Sequence, residues 1–286
     1  MRKPSDAGFT HDMGETERHG GKALAIGRET MQPILDFVDE SSQKQNPFFV
    51  WYAPMMPHTP HNPPARFLEK YAGNPKSKYL AMVEWFDETC GQLLDHLDKK
   101  GLAENTLVLL ITDNGWNEFG KGSPYENGIR TPVVIRWPKQ VQPRADSQHL
   151  AQNIDVLPTL LGAAGIPVPE GVAGINLLDE KAVRSRTALF FANYGHDMVS
   201  AREPEKSLWS RSCIHGGWKL ISWRKDPPQV KPPLNGNRRK HEGAFLELFD
   251  VSKDPNEQTN LAQQQPDKVR ELLSHMNKWW NPDNEQ

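Results

Sequence analysis

The sequence predicts an α/β protein: a mostly parallel sheet flanked by helices, followed by a small antiparallel sheet with one helix laid on it. Two observations carry the first part. Short apolar runs without helical spacing, 48–52 and 106–112, stand on either side of a long amphipathic segment, and a β-α-β order of this kind brings parallel strands together. Both runs end abruptly in polar or proline-rich segments, as strands do at the ligand-binding edge of an open sheet. A third observation carries the second part: beyond a change of composition near 181–186 the apolar runs become short and closely spaced, and the chain ends in a segment with helical periodicity.

Taken in order, residues 1–26 are rich in glycine and charge and read as loop. Met31, Ile34, Leu35 and Val38 recur at helical spacing, which predicts a helix over 28–41. Phe48-Phe49-Val50-Trp51-Tyr52 predicts a buried strand that runs into Ala53-Pro54-Met55-Met56-Pro57-His58-Thr59-Pro60-His61. Residues 79–99 predict a second helix, with Leu80, Val83, Phe86, Leu93, Leu94 and Leu97 as its buried stripe and Cys90 as a small core residue. Thr106 to Thr112 predicts a strand buried on both faces, and 133–138 another short strand. A helix over 153–161 ends near Gly165. Strands are expected over 188–192, 213–214, 218–223 and 245–249, with an exposed loop over 226–243 and a terminal helix over 267–280. The expected division is 1–185 for the α/β domain and 186–286 for a small α+β subdomain.

Composition narrows the function classes. The chain has 286 residues, 37% hydrophobic and 24% charged, with a formal net charge of −2. That balance gives no electrostatic argument for nucleic acid or a membrane surface. Two cysteines make no disulfide framework, no apolar run is long enough to cross a bilayer, and the polar start does not read as a signal peptide.

Two strand tips hold the candidate chemistry. Asp113-Asn114-Gly115 offers a carboxylate and an amide carbonyl, the hard oxygen ligands that Ca²⁺ or Mg²⁺ takes; the plain alternative is an Asn-Gly turn. His58 and His61 are presented from a loop stiffened by prolines; the alternative is two solvated imidazoles. Downstream of the first tip come Gly120-Lys121-Gly122-Ser123-Pro124-Tyr125-Glu126 and Gly128-Ile129-Arg130-Thr131-Pro132.

The Asp-Asn-Gly followed at short distance by Lys-Gly-x-x-Tyr-Glu-x-Gly-x-Arg-x-Pro resembles the sulfatase family of the alkaline-phosphatase superfamily. Asn127 stands where that family usually has a glycine, and tolerance of left-handed backbone angles is the expected reason that the turn survives. His58-Thr59-Pro60 resembles the family's His-x-Pro after the preceding strand, and 248–262 resembles its tail. The resemblance runs from about residue 28 to 280. It implies an alkaline-phosphatase-like fold, incomplete at its N-terminal side, and metal-assisted hydrolysis of sulfuric esters of the arylsulfatase type. Asp113 and Asn114 would then be metal ligands, with Ca²⁺ preferred and Mg²⁺ second. Lys121 and His58 would bind the sulfate and stabilise the leaving oxygen. Arg130, His61 and His196 are weaker substrate-binding candidates.

The Cys/Ser-x-Pro-x-Arg segment that becomes formylglycine in this family does not occur in the sequence: Cys90 is followed by Gly-Gln-Leu-Leu and Cys213 by Ile-His-Gly-Gly. The expectation is therefore the later portion of a sulfatase, inactive alone, with a missing N-terminal fragment as its partner. Its substrate would be a sulfated small molecule or carbohydrate, and its parent enzyme an exported one. A phosphate or phosphonate ester hydrolase of the same superfamily, and a non-catalytic binding remnant of the fold, are the alternatives.

Overall fold

A computed structural model describes residues 6, 8–11, 24–115, 120–195, 202–226, 240–241 and 243–282. The chain divides into two compact units, Met1–Thr106 and Leu107–Gln286. The small α+β assembly expected from residue 186 onward lies inside the second of them.

The first unit is helical. An irregular turn, α1 (Ala25–Arg28), leads to α2 (Gln32–Gln43), which buries Val38 and Ser41; a short α3 (Ala65–Leu68) precedes the long α4 (Ser77–Lys99). The α4 stripe differs from the expected one by a fraction of a turn. Ala81, Met82, Trp85, Thr89 and Leu97 are its buried residues, and Val83 is exposed. Apolarity alone pointed to the leucines; Trp85 takes the inward position because its ring stacks on Phe67 of α3, with centroids 6.3 Å apart. Met56, Phe67, Ala81, Met82 and Trp85 form this unit's core.

Residues 48–52 are not a paired strand. Phe48, Val50 and Tyr52 are half-buried while Phe49 and Trp51 are exposed, the alternation of an extended segment covered on one side. Tyr52 anchors it by donating its hydroxyl to Thr89 Oγ1 of α4 at 2.7 Å, and burial pushes that phenol up to about 12.

The second unit opens with β1 (Val108–Ile111), followed by a one-turn helix α5 (Glu126–Ile129) and by β2 (Val133–Arg136). Here too the expectation is corrected: β1 pairs antiparallel with β2, no two of the described strands pair in parallel, and β1 is only partly buried, with Ile111 exposed. The loop from 112 to 132 folds the chain back, so the first strand edge offered to β1 runs in the opposite direction. Helix α6 (Val156–Ala163) is followed by α7 (Glu180–Ser185). Asp155, fully buried just before α6, is the anchor of this region. It accepts two hydrogen bonds from the Arg186 guanidinium, at 2.5 and 2.7 Å, and the backbone N–H groups of Gln152 and Ile175.

The remaining strands, β3 (Ala188–Tyr194), β4 (Leu208–His215), β5 (Trp218–Trp223) and β6 (Leu246–Asp250), form an antiparallel sheet in sequence order. Its two faces are covered differently. Cys213, Leu220 and Leu248 point to the final helix α8 (Pro266–Trp279), which inserts Val269, Leu272 and Met276. Each such side chain contributes about 2 kcal/mol by leaving water. The alternate residues Ile221, Trp223 and Phe249 point the other way and pack on Tyr125, in the loop after β1. Asn260 completes the β6 edge: its side chain accepts from Leu248 N–H at 3.0 Å and donates to the Leu246 carbonyl at 3.1 Å. Among the described residues no helix is long and apolar enough to cross a membrane.

Candidate active site

The tip of β1 and the loop that follows it are bolted together through glycine. Gly115 N–H donates to the Gly128 carbonyl at 2.7 Å. A Cβ on Gly115 would lie 2.5 Å from the Asn127 carbonyl oxygen, and one on Gly128 would lie 2.2 Å from that of Gly120. Two side chains are excluded so that two stretches of backbone can touch. Asn127 sits inside α5 with an ordinary helical backbone and takes no left-handed angles, so the expected reason for its tolerance is corrected: the position needs a helical residue.

Tyr125 and Glu126 fasten this loop to the antiparallel sheet. The Tyr125 hydroxyl donates to Glu247 Oε2 at 2.7 Å, which also accepts from Trp223 Nε1 at 2.6 Å. Burial, and then the Glu247 charge, push the Tyr125 phenol far up, so it is a fixed donor. Glu126 Oε1 lies 3.1 Å from Lys219 Nζ, and the same ammonium lies 2.8 Å from Glu257 Oε1, both Lys219 and Glu257 being fully buried. Glu257 Oε2 accepts the backbone N–H of Glu126 at 2.7 Å. Glu257 itself holds a left-handed backbone, with φ of 53°.

Held in this way, Asp113 is exposed and its carboxylate makes no hydrogen bond or ion pair with another described residue. Asn114 is half-buried, and its Nδ2 donates to the Gly115 carbonyl at 2.9 Å, which turns the amide so that Oδ1 remains an available acceptor. These are two uncommitted oxygens of the kind Ca²⁺ takes, and they fit a hard cation as part of a shell that needs six to eight. Lys121 is exposed, beside Gly122, whose φ is 76°. Arg130 is exposed and forms no ion pair with a described residue. Asp113, Asn114 and Arg130 are among the residues that line an open trough of about 2330 Å³ in the second unit. That volume exceeds an enclosing small-molecule pocket several-fold, so it does not define a ligand.

His58 and His61 belong to the first unit. His58 is exposed at the top of a loop with cis Met56-Pro57 and Thr59-Pro60 bonds, and its Nδ1 lies 2.9 Å from the Thr59 carbonyl. The loop is clamped by a residue that sequence reading passed over. The Arg28 guanidinium donates to the carbonyls of Met55 (3.0 Å) and His58 (3.4 Å) and to Asn62 Oδ1 (2.7 Å). Its pKa is lowered by burial. Gly27 beside it, at φ 75°, leaves no room for a Cβ against the Tyr52 hydroxyl. His61 packs edge-on against Tyr79 at 5.8 Å, a packing role. His196 lies outside the described residues.

Comparison with known proteins places this architecture. A structure of Ps i-CgsB in complex with k-i-k-neocarrahexaose superposes with a TM-score of 0.69 at 23% identity, covering 93% of this chain and 56% of that one. Another, solved with its substrate D-glucosamine-2-N,6-O-disulfate, gives 0.56 at 24% identity over 73% of this chain and 42% of that one. Both share the fold of this chain over the parts they cover. The sulfatase family profile matches residues 9–166, more than half of the chain, and that of the N-sulphoglucosamine sulphohydrolase C-terminal region matches 113–231. The chain belongs to the sulfatase family. It is 28% identical to the N-acetylgalactosamine-6-O-sulfatase of Bacteroides thetaiotaomicron over 88% of its own length and 52% of that protein's. It thus spans about half of the curated relatives that it matches.

Proposed function

We propose that this chain is the later part of a sulfatase catalytic unit and its C-terminal subdomain, 1–185 and 186–286, acting on sulfate esters of a carbohydrate or small molecule. The observation that supports this most directly is the Gly115–Gly128 junction. It brings the Asp113-Asn114 tip and the Lys121-to-Arg130 loop into one rigid piece, so the motif's two halves are one construction. Asp113 and Asn114 would hold a divalent cation, Ca²⁺ before Mg²⁺, which when bound supplies positive charge against the sulfate oxygens. Lys121 and His58 bind the sulfate, and a fixed cation at the leaving oxygen favours the charge that develops there. Arg130 contributes a guanidinium suited to oxyanions, and His61 and His196 are peripheral. Sulfated sugars follow from the names and ligands of the relatives, and export of the enzyme from the family resemblance.

Because the 286 residues contain no Cys/Ser-x-Pro-x-Arg, binding rather than turnover tests this reading on the chain itself. Calorimetric titration with D-glucosamine 6-sulfate is expected to show Ca²⁺-dependent binding that weakens at least about tenfold in Lys121→Ala and is lost in Asp113→Ala. Binding that is indifferent to Ca²⁺ and to both substitutions would overturn the assignment. Equal affinity for the 6-phosphate would favour the phosphate-ester reading.

A further inference from the structure

The end of β4 and one face of α8 place His215, Glu271 and His275 together, with one ligand atom of each lying within 4.8 Å of the others. Glu271 and His275 are four residues apart on a helix, so their side chains stand on the same face one turn apart. His215 Nε2 lies 3.6 Å from Glu271 Oε1, and the two imidazole rings are 4.6 Å apart between centroids. Two ligands of a tetrahedral Zn²⁺ are separated by about 3.4 Å, given bonds near 2.05 Å. The cluster is therefore close to a ligating arrangement without backbone movement.

The surroundings prepare the three groups for a metal. His215 Nδ1 is 2.9 Å from the Thr187 carbonyl. That contact requires the proton on Nδ1 and leaves the Nε2 lone pair directed at the cluster, the outer-sphere pattern of metal-bound histidine. Glu271 uses Oε2 for Lys268, at 2.6 Å, which leaves Oε1 on the cluster side. Cys213, one step inward on the same face of β4, is fully buried in the apolar core under α8 and does not join the three ligand atoms. All three residues are half-buried, which leaves a fourth position to water.

The geometry points to a transition-metal site of the two-histidine, one-carboxylate type, suited to Zn²⁺, which cross-links the terminal helix to the antiparallel sheet. It is chemically distinct from the hard-oxygen pair at Asp113 and Asn114, because imidazole nitrogen selects borderline metals rather than Ca²⁺. It does not depend on the catalytic reading.

The test is calorimetric titration of the full chain with Zn²⁺ in millimolar Ca²⁺, which occupies oxygen sites, paired with thermal melts in Zn²⁺ and in EDTA. The expected result is about one equivalent bound with micromolar or tighter affinity and a melting temperature raised by Zn²⁺. His275→Ala and Glu271→Gln should each weaken binding at least about tenfold and lose the Zn²⁺-dependent shift while melting like the parent in EDTA. Should His275→Ala melt lower in EDTA, the isosteric Glu271→Gln decides. Absence of saturable binding, or binding and shift unchanged in the deciding variant, overturns the proposal.

Discussion

At the scale of single residues, Gly128 makes the sharpest demand. A methyl group there would meet the Gly120 carbonyl oxygen at 2.2 Å and that of Ser123 at 2.7 Å, and both are backbone atoms with no rotamer to change. Gly128→Ala is expected to cost about 2 kcal/mol or more, read as a lower urea midpoint at unchanged m-value. Gly91→Ala is a control for the loss of glycine alone, since Gly91 too lies in a helix without a positive φ but nothing lies within 4 Å of its Cβ. The cysteines give a second prediction at this scale. Burial pushes the Cys90 thiol up to about 11 and that of Cys213 to about 12. The thiolate is the nucleophile, so at pH 8 only about one thiol in a thousand or fewer is reactive in the folded chain. Both should label slowly with a disulfide reagent in buffer and rapidly in urea. Because the folded pKa values lie above the unfolded one, the unfolded state loses its thiol protons first as pH rises. The stability these thiols contribute is full below about pH 8.5 and falls as pH climbs towards 11 to 12. Rapid labelling of both thiols without denaturant would contradict the burial of Cys213 and the partial burial of Cys90.

At the scale of elements, the ion pair of Asp155 with Arg186 joins the start of α6 to the start of β3. Asp155 is fully buried, so Arg186→Ala leaves a carboxylate with two backbone N–H partners and no countercharge; a loss of about 3–5 kcal/mol is expected. Arg186→Lys should recover only part of it, because an ammonium cannot match the bidentate contact. Equal melting of the lysine variant and the parent would show that charge alone suffices there. Elements of this part of the chain were legible where periodicity and composition agree. The helix expected over 79–99 is α4, the four short runs after 186 are β3 to β6, and the terminal helix starts within a residue of its expected position. Pairing was not legible. The run 48–52 has strand composition but no ladder, and β1 found an antiparallel neighbour, since the direction of a pair depends on which edge is offered and not on the run itself. The inward face of α4 escaped for a related reason: Trp85 and Met82 are buried through what packs on them.

At the scale of the whole molecule, the motif residues that sequence reading singled out are supported by residues far along the chain that it did not. Asp113, Asn114 and Lys121 drew attention in the sequence because their types and order resemble those of the sulfatase motif. Lys219, Glu247 and Glu257 were not, because a charged residue inside a strand or tail gives no sign that it will be buried against a loop about a hundred positions earlier. Arg28 was missed in the same way, since nothing in an arginine before a helix announces that it will clamp 55–62. The clearest consequence lies in Lys219. Its ammonium is enclosed between Glu126 and Glu257, and Glu126 is the residue after Tyr125 in the loop that carries Lys121. Lys219→Met keeps the stem's volume and removes the charge, leaving two carboxylates facing each other; a loss of about 3–5 kcal/mol is expected. Replacing all three together, Lys219→Met with Glu126→Gln and Glu257→Gln, removes the repulsion and should recover much of that loss. If the network serves only stability, the triple variant regains its melting temperature and the proposed Ca²⁺-dependent affinity for D-glucosamine 6-sulfate together. If it sets the position of the Lys121 loop, stability returns while affinity stays low. The second outcome is expected, because Glu126 loses its charged contacts in the triple variant and the loop its register on the sheet.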